Sequence, residues 1–476
     1  MKLSEEKRSV KLQGSSLLAS KDDPCNVFFP LMTRNNFWWK EAVIYEVYVD
    51  KFAKNFRGIT EKLSYLKNLG INCLWLLPHY PSPMIDDGYD VSDYFGVRKE
   101  LGTLNDFRQF TKQAHKAGIR VIIDFVLNHV SIEHPWFREA FRSKESPKRD
   151  FFIWSKTGKE FPQAINPFSH MKPSNWVYNP VAEDYYFATF YSQQADLNWD
   201  NTTVFQEMMK VIDFWIDNGV DGFRLDAAPF LIKREGTQCA NLPETHQVIK
   251  NIRAHVEKQN QEVILLAEAN GPLNLVKEYF GSTSFDSAQD KSLTTGGGDE
   301  CHMAFNFHLM TAMLLTLKRG NNSIAEKTAK ETADIPQNCQ WATFLRNHDE
   351  LTLEHVAEAE RNELLPWLDS DSKYSFKEGH GASVRLATIF NGNKNKILEA
   401  FKLLFGLSGL SRAESKGSPV IYYGDEIGME NAKFLEKPAD TRRYVRGEFD
   451  WPEAEKQLKD PNSMLNQVAK LIKSRR

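Results

Sequence analysis

The side chains best suited to chemistry include an arginine and an aspartate, Arg224 and Asp226, inside a run of apolar strand formers at residues 219–227. Side chains alternate along a β-strand, so residues two apart share one face. A buried arginine and a buried carboxylate are costly unless each has polar partners. The pair is therefore either a structural ion pair in a barrel interior or a nucleophilic carboxylate kept ionised by its guanidinium neighbour. The pair alone leaves both interpretations open.

Three further apolar runs also end in polar residues that a hydrophobic core would not select. One contains Asp124 and ends in Asn128 and His129, another ends in Glu268, and a third ends in Asn-His-Asp at residues 347–349. Active sites of (β/α)8 barrels lie at the C-terminal ends of the strands. Four polar strand ends therefore indicate a catalytic site, provided that the strands close into such a barrel.

The residue types restrict the reaction to a few classes. Three carboxylates, two histidines and one arginine suit neither hydride transfer nor phosphate binding. A metal site is the main rival, although Arg224 beside Asp226 would repel a divalent cation. Retaining cleavage of a glycosidic bond needs one nucleophilic carboxylate and one carboxylic acid that protonates the leaving oxygen. A further carboxylate nearby would help to raise the pKa of that acid.

Eight apolar runs separated by helical patterns predict an α/β fold, a (β/α)8 TIM barrel. The predicted strands lie at residues 42–49, 73–78 and 120–127, around Phe223, and at 262–268, 303–307, 342–347 and 419–424. The alternation breaks at residues 130–195, which are rich in proline and aromatic residues and have no sustained period. A plain loop of that length is improbable in a compact domain. We therefore expect an N-terminal extension at 1–36, a barrel at 37–129 and 196–476, and a small inserted domain at 130–195.

The composition excludes several classes of partner. The chain has 476 residues and a formal charge of −3, which argues against nucleic acid, and no basic run suggests a membrane surface. No apolar stretch approaches the 18 or so residues of a membrane span. The N-terminus has no apolar leader, and the five cysteines are odd in number and widely spaced. We expect reduced thiols and a cytoplasmic protein. The cysteines are Cys25, Cys73, Cys239, Cys301 and Cys339.

The polar strand ends carry a family resemblance. Residues 124–129, 222–227, 266–270 and 345–349 resemble, in order, the four signature regions of the α-amylase family of glycoside hydrolases. The likeness runs from about Trp38 to the C-terminus. Within that family the chain is most similar to the trehalose synthases, which are maltose α-glucosyltransferases. The supporting stretches are residues 226–231, 234–237, 241–246, 300–305 and 423–429.

The resemblance implies roles for three carboxylates. Asp226 matches the nucleophile that forms a β-linked glucosyl-enzyme, and Glu268 matches the general acid/base. Asp349 matches the third carboxylate, which holds sugar hydroxyls and supports the transition state. If so, the carboxyls of Asp226 and Glu268 should lie about 5–5.5 Å apart.

The resemblance also implies a set of substrate-binding residues. Arg224 would orient Asp226, His129 and His348 would bind sugar hydroxyls, and Tyr89 would stack on the glucose ring. Asp86 and Arg446 would together close the pocket beyond the terminal glucose, as in exo-acting relatives. From the residues alone, residues 86–90 could equally be an Asp-Gly turn with an anchoring tyrosine, and Arg446 a surface side chain.

Three departures from the family pattern bear on function. Lys233 stands where calcium-binding relatives have a glutamate, next to positions that match the calcium ligands Asn128 and Asp196 and the carbonyls near Phe230 and Leu231. We therefore predict no metal. The motif at residues 445–451 keeps Arg446 and Trp451 but changes the residues between them, and the family's C-terminal β-sandwich is not expected.

The sequence thus predicts retaining cleavage of α-glucosidic bonds in maltose or short α-glucosides, with glucosyl transfer of the trehalose synthase type as the leading outcome. Hydrolysis, as in an α-amylase or α-glucosidase, is the alternative. A catalytically silent binding barrel is a different class, although such proteins lose carboxylates that this chain keeps. We expect a small α-glucoside as partner, no cofactor, no nucleic acid and no membrane, and the oligomeric state stays open.

Overall fold

The computed structural model describes residues 37–281, 298–406 and 417–475. The predicted extension at 1–36 and Cys25 lie outside these ranges. The other four cysteines are buried free thiols, as expected.

Eight parallel strands form a closed barrel, as the sequence predicts. Each strand pairs with the next one along the chain, and the last pairs with the first. The strands are β1 (Ile44–Val47), β2 (Cys73–Leu76), β3 (Arg120–Val126), β4 (Gly222–Asp226), β5 (Ile264–Ala267), β6 (Met303–Phe305), β7 (Gln340–Phe344) and β8 (Ser418–Tyr422). Most of their residues are apolar because both faces of a parallel barrel strand are covered, and the charged exceptions include Glu46, Asp124, Arg224 and Asp226. Gly222 begins β4 where a Cβ atom would lie only 2.6 Å from Ile264 of β5, so this close approach requires glycine.

Helices separate the barrel strands. The α-helices are Val49–Ala53, Phe56–Glu61, Leu63–Leu69, Leu104–Ala117, Pro135–Arg142, Thr202–Asp217, Pro243–Gln259, Leu273–Glu278, Phe307–Arg319, Ser323–Glu331, Glu358–Leu368, Leu386–Ile389, Lys394–Gly406, Trp451–Lys459 and Met464–Ser474. Short 3-10 helices are Trp38–Glu41, Lys99–Leu101, Arg149–Phe151, Ala228–Phe230, Lys377–Gly379, Asp425–Ile427 and Thr441–Val445. Among the described helices, none has both the length and the apolar character that a membrane span needs.

The segment between β3 and the helix Thr202–Asp217 has a sheet of its own, where the sequence predicts an insertion. Trp154–Ser155, Asp184–Phe187 and Trp176–Asn179 form an antiparallel sheet in that order. A second pair, His129–Ser131 with Gln194–Asp196, joins the two ends of the segment directly above the barrel. That residues 130–195 form a separate domain stays a prediction.

A second excursion, after β7, is absent from the sequence-based expectations. It contains the helix Glu358–Leu368 and a small sheet in the order Leu351–Thr352, Gly381–Ala382, Ser375–Phe376. Its strands are only two residues long, so no periodicity could reveal them. Beyond β8 the described chain continues in 3-10 and α-helices, and Met464–Ser474 packs back against Leu63–Leu69.

Candidate active site

Arg224 lies at the centre of the polar strand ends. It projects from β4 and is 1% exposed, and β3 is aligned so that Asp124 is its direct neighbour. One terminal nitrogen, Nη1, lies 2.5 Å from Asp124 Oδ1 and 2.6 Å from Asp226 Oδ1. The other, Nη2, lies 2.7 Å from Glu268 Oε1. A single guanidinium therefore holds three carboxyl groups at the C-terminal end of the barrel.

Asp226 and Glu268 are side by side because their strands are neighbours. Leu225 of β4 pairs with Ala267 of β5, and the two carboxylates follow at the strand ends. Ala227 then turns sharply with φ 50° and donates its backbone N–H to Glu268 Oε2 over 3.0 Å. This hydrogen bond and the shared guanidinium fix both carboxyls in one place.

The three carboxyls exceed the charge of the one guanidinium. Burial raises the pKa of Asp226, Arg224 opposes that rise, and the negative charges of Glu268 and Asp124 add to it. Burial likewise raises the pKa of Asp124 to about 6, with Arg224 again opposing. Interacting groups of this kind titrate together. The cluster therefore retains a proton more readily than isolated carboxylates would, and an acid catalyst needs such a proton.

Asp349 follows β7 and faces two arginines. Its Oδ1 lies 2.8 Å from Arg446 Nη2 and 3.2 Å from Arg442 Nη1. Burial alone would raise the pKa of Asp349, but neighbouring positive charges outweigh it and hold the pKa well below the usual range. His348 is not one of those charges at neutral pH, because burial lowers its own pKa well below 6.5. The two arginines therefore keep Asp349 ionised.

His348 is held by rings on three sides. The Tyr89 ring stacks on it with centroids 5.3 Å apart, and the rings of Trp75 and Tyr48 meet it edge-on. The Tyr89 hydroxyl lies 2.7 Å from His348 Nε2 and 3.3 Å from Asp124 Oδ2. Tyr89 thus packs against His348 within the site, and its predicted stacking on a glucose ring stays a prediction.

His129 faces the same cavity, but both of its ring nitrogens already contact other atoms of the protein. Its Nε2 is 3.2 Å from the Tyr89 carbonyl oxygen, and its Nδ1 is 3.3 Å from Asn128 Nδ2. Burial lowers the pKa of His129 to about 4, so the ring is neutral at neutral pH. Its predicted contact with a sugar hydroxyl stays a prediction.

The expected pairing of Asp86 with Arg446 is replaced by two other ion pairs. Asp86 Oδ1 lies 2.8 Å from Arg442 Nη2, and Arg446 Nη1 lies 2.6 Å from Asp87 Oδ2. Arg446 is nevertheless buried, so it is not a surface arginine. The reason lies in the 3-10 helix Thr441–Val445, which turns Arg442 inward toward Asp86.

Arg442 is the residue that sequence reasoning missed. Its guanidinium lies between the rings of Phe168 and Phe376, 5.4 and 5.3 Å from their centroids. It also binds Asp440 at 2.7 Å and the Tyr191 hydroxyl at 3.2 Å. The one available signal was an arginine four residues before Arg446, which is weak on its own.

Two cavities meet at the carboxylates. The inner cavity, about 80 Å³, is lined by Asp86, Tyr89, His129, Phe168, Phe190, Asp226, Ala227, Glu268, His348, Asp349 and Arg442. Seven of the nine predicted site residues line it, and the other two, Arg224 and Arg446, contact lining residues. The outer cavity, about 410 Å³, shares Glu268 and Asp349 with the inner one. Aromatic rings of Phe168, Phe190, Phe230 and Phe307 line it together with Asn270, Glu350, Glu354 and Lys377.

Lys233 lies beside this site, among oxygen atoms of Asn128, Asp196 and Phe230. Its ammonium is 2.6 Å from Asp196 Oδ2 and 3.1 Å from Asn128 Oδ1, and it also contacts the Phe230 carbonyl oxygen. The side chain is 2% exposed, so it does not point to solvent. Within the described ranges, no three His, Cys, Asp or Glu side chains group as a metal site would require.

Comparison with known proteins bears on the whole barrel. The family model "Alpha amylase, catalytic domain" matches residues 47–365. A trehalose synthase/amylase of Mycolicibacterium smegmatis is 42% identical over 421 residues, which cover 87% of this chain and 67% of that protein. A trehalose synthase of Thermus thermophilus is 43% identical over 422 residues, which cover 87% of this chain and 40% of that protein. The chain thus spans about two thirds or less of the length of these relatives.

The fold is similar to solved structures over nearly all of its length. The crystal structure of an isomaltulose synthase from Klebsiella sp. LX3 superposes with a TM-score of 0.68 at 26% identity, covering 92% of this chain and 84% of that one.

Proposed function

Because the chain belongs to the α-amylase family, we propose that it is a retaining enzyme that cleaves maltose or a short α-glucoside and transfers the glucosyl unit. The observation that carries this proposal is the pair Asp226 and Glu268, bridged by Arg224 where a small cavity meets a larger aromatic one. Retention needs two carboxyls that are close together, with no room for a water molecule between them and the sugar. Two carboxyls on adjacent nitrogens of one guanidinium fit that requirement.

The reaction proceeds in two displacements on these residues. An oxygen of Asp226 attacks the anomeric carbon of the glucosyl unit while Glu268 gives its proton to the departing glycosidic oxygen. This step leaves a glucosyl ester on Asp226 and a free sugar with a new hydroxyl. Glu268, now ionised, takes the proton of an acceptor hydroxyl, whose oxygen attacks the same carbon and releases Asp226.

The surrounding charges support these two roles. The first displacement requires a proton on Glu268 and an ionised Asp226. The transition state develops positive charge on the sugar ring, next to ionised Asp349 and Asp226. Arg224 and the Ala227 N–H keep the two reacting carboxyls in position as that charge forms.

The two cavities support a small donor and a carbohydrate acceptor. The inner cavity is small and the ion pair between Asp86 and Arg442 forms part of its wall, so we expect it to hold only the terminal sugar of a donor. The outer cavity offers aromatic rings for a sugar face and polar groups for its hydroxyls. A released glucose held there can attack again through another hydroxyl, which gives an isomer of maltose, whereas water in the same place gives hydrolysis.

Incubation of the purified protein with maltose tests the proposal. We expect trehalose as the main product and free glucose as the minor one, separated by anion-exchange chromatography. Glucose alone would establish hydrolysis as the activity instead. The variant Asp226→Asn should lose at least about 1,000-fold in kcat with an unchanged circular dichroism spectrum, and full activity would show that another residue is the nucleophile.

A further inference from the structure

Glu46 is a buried carboxyl that the two displacement steps do not use. It lies on β1 and is fully enclosed in the barrel. Its Oε1 lies 2.9 Å from the backbone nitrogen of His348 and 2.6 Å from Nδ1 of the same residue. Its Oε2 has no hydrogen-bond partner in the described part of the chain. One oxygen of Glu46 therefore holds two different atoms of His348.

The opposite side of the imidazole faces the catalytic cluster. His348 Nε2 lies 3.1 Å from Asp349 Oδ2 and 2.7 Å from the Tyr89 hydroxyl. An ionised carboxylate only accepts hydrogen bonds, so the contact with Asp349 is favourable only when Nε2 carries a proton. Because the surrounding rings prevent the imidazole from turning, its protonation pattern decides whether this contact attracts or repels.

A proton on Nε2 has a consequence for Glu46. In a neutral imidazole, Nδ1 is then an acceptor, and the carboxyl oxygen 2.6 Å away must donate a proton to it. In an imidazolium, Nδ1 donates to an ionised Glu46. In both forms one proton lies between Oε1 and Nδ1, and the pair has no net charge.

Burial favours the neutral form of the pair. It raises the pKa of Glu46 and lowers that of His348. The charged groups that face the pair are Asp349 and the arginines Arg224, Arg346, Arg442 and Arg446. These arginines lower the pKa of both partners and Asp349 raises both, so burial is the cause that favours the neutral pair.

We propose that Glu46 is a positioning residue: through the shared proton it keeps His348 Nε2 protonated, so that this one N–H is available to Asp349, to the Tyr89 hydroxyl or to a hydroxyl of the bound glucosyl ring. Of this proposal, only the contact with the sugar rests on the proposed function. A carboxyl suits this place because the same oxygen accepts the backbone N–H and shares a proton with Nδ1. A glutamine oxygen would accept from both, which places the proton on Nδ1 and leaves the Nε2 lone pair against Asp349.

Nuclear magnetic resonance of protein with 15N-labelled histidine tests the protonation directly. We expect His348, assigned by its absence in His348→Ala, to show a protonated Nε2 in the wild-type protein at neutral pH. Glu46→Gln should move the proton to Nδ1. A wild-type His348 protonated only on Nδ1 would overturn the proposal, and this readout requires no activity and no variant at Glu46.

Kinetics test whether Glu46 acts through His348. Glu46→Gln should lower kcat by about 10- to 100-fold, equally with maltose and with α-glucosyl fluoride, because the affected contact is to the glucosyl ring that both donors share. In a His348→Ala background the same substitution should cost nothing more. Equal losses in both backgrounds would contradict the proposal.

Glu426→Gln is the matched control. Glu426 is equally buried, but its Oε1 accepts hydrogen bonds from Tyr45 and Tyr65, away from the cavities. This variant should keep the wild-type kcat and the wild-type His348 signal. If wild-type protein turns over neither donor, the proposed function fails, whereas the resonance measurement still decides the role of Glu46.

Discussion

Single residues at this site have more than one role. Arg224 completes an interior ion-pair cluster and also orients Asp226 and Glu268, so the structural and the catalytic interpretations of the Arg224–Asp226 pair are not exclusive. Breaking such a buried cluster is costly because the remaining charges lose their partner. Variants at Arg224 would therefore mix loss of stability with loss of activity, and residues at the rim of the cluster give clearer tests.

Arg442 is such a residue. Arg442→Lys keeps the charge but loses the planar fork that reaches Asp86 and Asp349 together. We expect kcat/KM for maltose to fall by about 10- to 100-fold. We also expect the inner cavity to widen where Arg442 contacts Asp86, so that maltotriose becomes a donor of maltosyl units. Product analysis by mass spectrometry distinguishes glucosyl from maltosyl transfer.

Arg443→Lys is the control for that substitution, because Arg443 is the exposed neighbour in the same 3-10 helix. It should leave kcat/KM unchanged. Unaltered donor length in Arg442→Lys would show that something other than Arg442 closes the cavity.

His79 allows a prediction about pH. It is fully buried among the rings of Phe56, Tyr80, Phe107 and Trp215, and neither ring nitrogen has a hydrogen-bond partner in the described residues. Burial lowers its pKa to about 3, against about 6.5 in an unfolded chain. Between about pH 3 and 6.5, the unfolded state therefore binds a proton at His79 that the folded state does not bind. This contribution to stability is complete above about pH 6.5 and is lost as the pH falls toward 3, by up to about 1.4 kcal/mol per pH unit.

His79→Phe should remove this pH-dependent loss of stability and also the cost of burying the two unpaired ring nitrogens. We expect the free energy of unfolding in urea to rise by about 1–3 kcal/mol at pH 7 and to fall less steeply between about pH 6.5 and 4. Substitution of the exposed His380 by Gln is the control and should keep the wild-type pH dependence. Equal slopes for wild type and His79→Phe would contradict the prediction.

At the scale of elements, parallel strands explain why distant motifs meet. All eight strands end at the same rim, so side chains from β3, β4, β5 and β7 converge although they are far apart in the chain. Lys233 then ties this rim to the segment after β3, since its ammonium binds Asn128 on one side and Asp196 on the other. The joint between this rim and the segment after β3 is therefore made by a buried lysine.

Lys233→Ala should lower the free energy of unfolding by about 3–5 kcal/mol, because Asp196 would stay buried without a counter-charge. Lys233→Glu adds a carboxylate to the oxygens of Asn128 and Asp196, a set that suits calcium. We expect the midpoint of thermal unfolding of Lys233→Glu to rise with calcium and fall with a chelator. The wild-type midpoint should respond to neither, and wild-type activity that is lost on chelation and restored by calcium would disprove the prediction.

At the scale of the whole molecule, the cavities determine what can bind. The inner cavity is small and shares Glu268, Asp349 and Arg442 with the larger aromatic one. The walls of the outer cavity come from two segments. Phe168 and Phe190 belong to the segment after β3, and Glu350 and Lys377 belong to the excursion after β7. With an inner cavity this small, we expect the site to admit the end of a sugar chain and not its middle.

We therefore expect an exo-acting enzyme. Maltose should be turned over far faster than soluble starch per glucosidic bond, and starch viscosity should stay nearly constant while reducing ends accumulate slowly. A rapid loss of viscosity with long oligosaccharide products would show that the enzyme cuts inside the chain and would contradict this expectation.

The sequence by itself determined the barrel and predicted that Asp226, Glu268, Asp349 and Arg224 lie together at its strand ends, because apolar strands that end in charged residues are typical of a barrel with its active site there. The catalytic roles of these residues stay predictions. It also predicted the oxygens around Lys233. The partners of Asp86 and Arg446, the role of Arg442 and the contact of Glu46 with His348 were decided only by the tertiary structure. These contacts depend on how a short 3-10 helix turns and on which strand lies opposite which across the barrel. The contact between Asp86 and Arg442 joins residues 356 positions apart, and local patterns contain no information about such a distance.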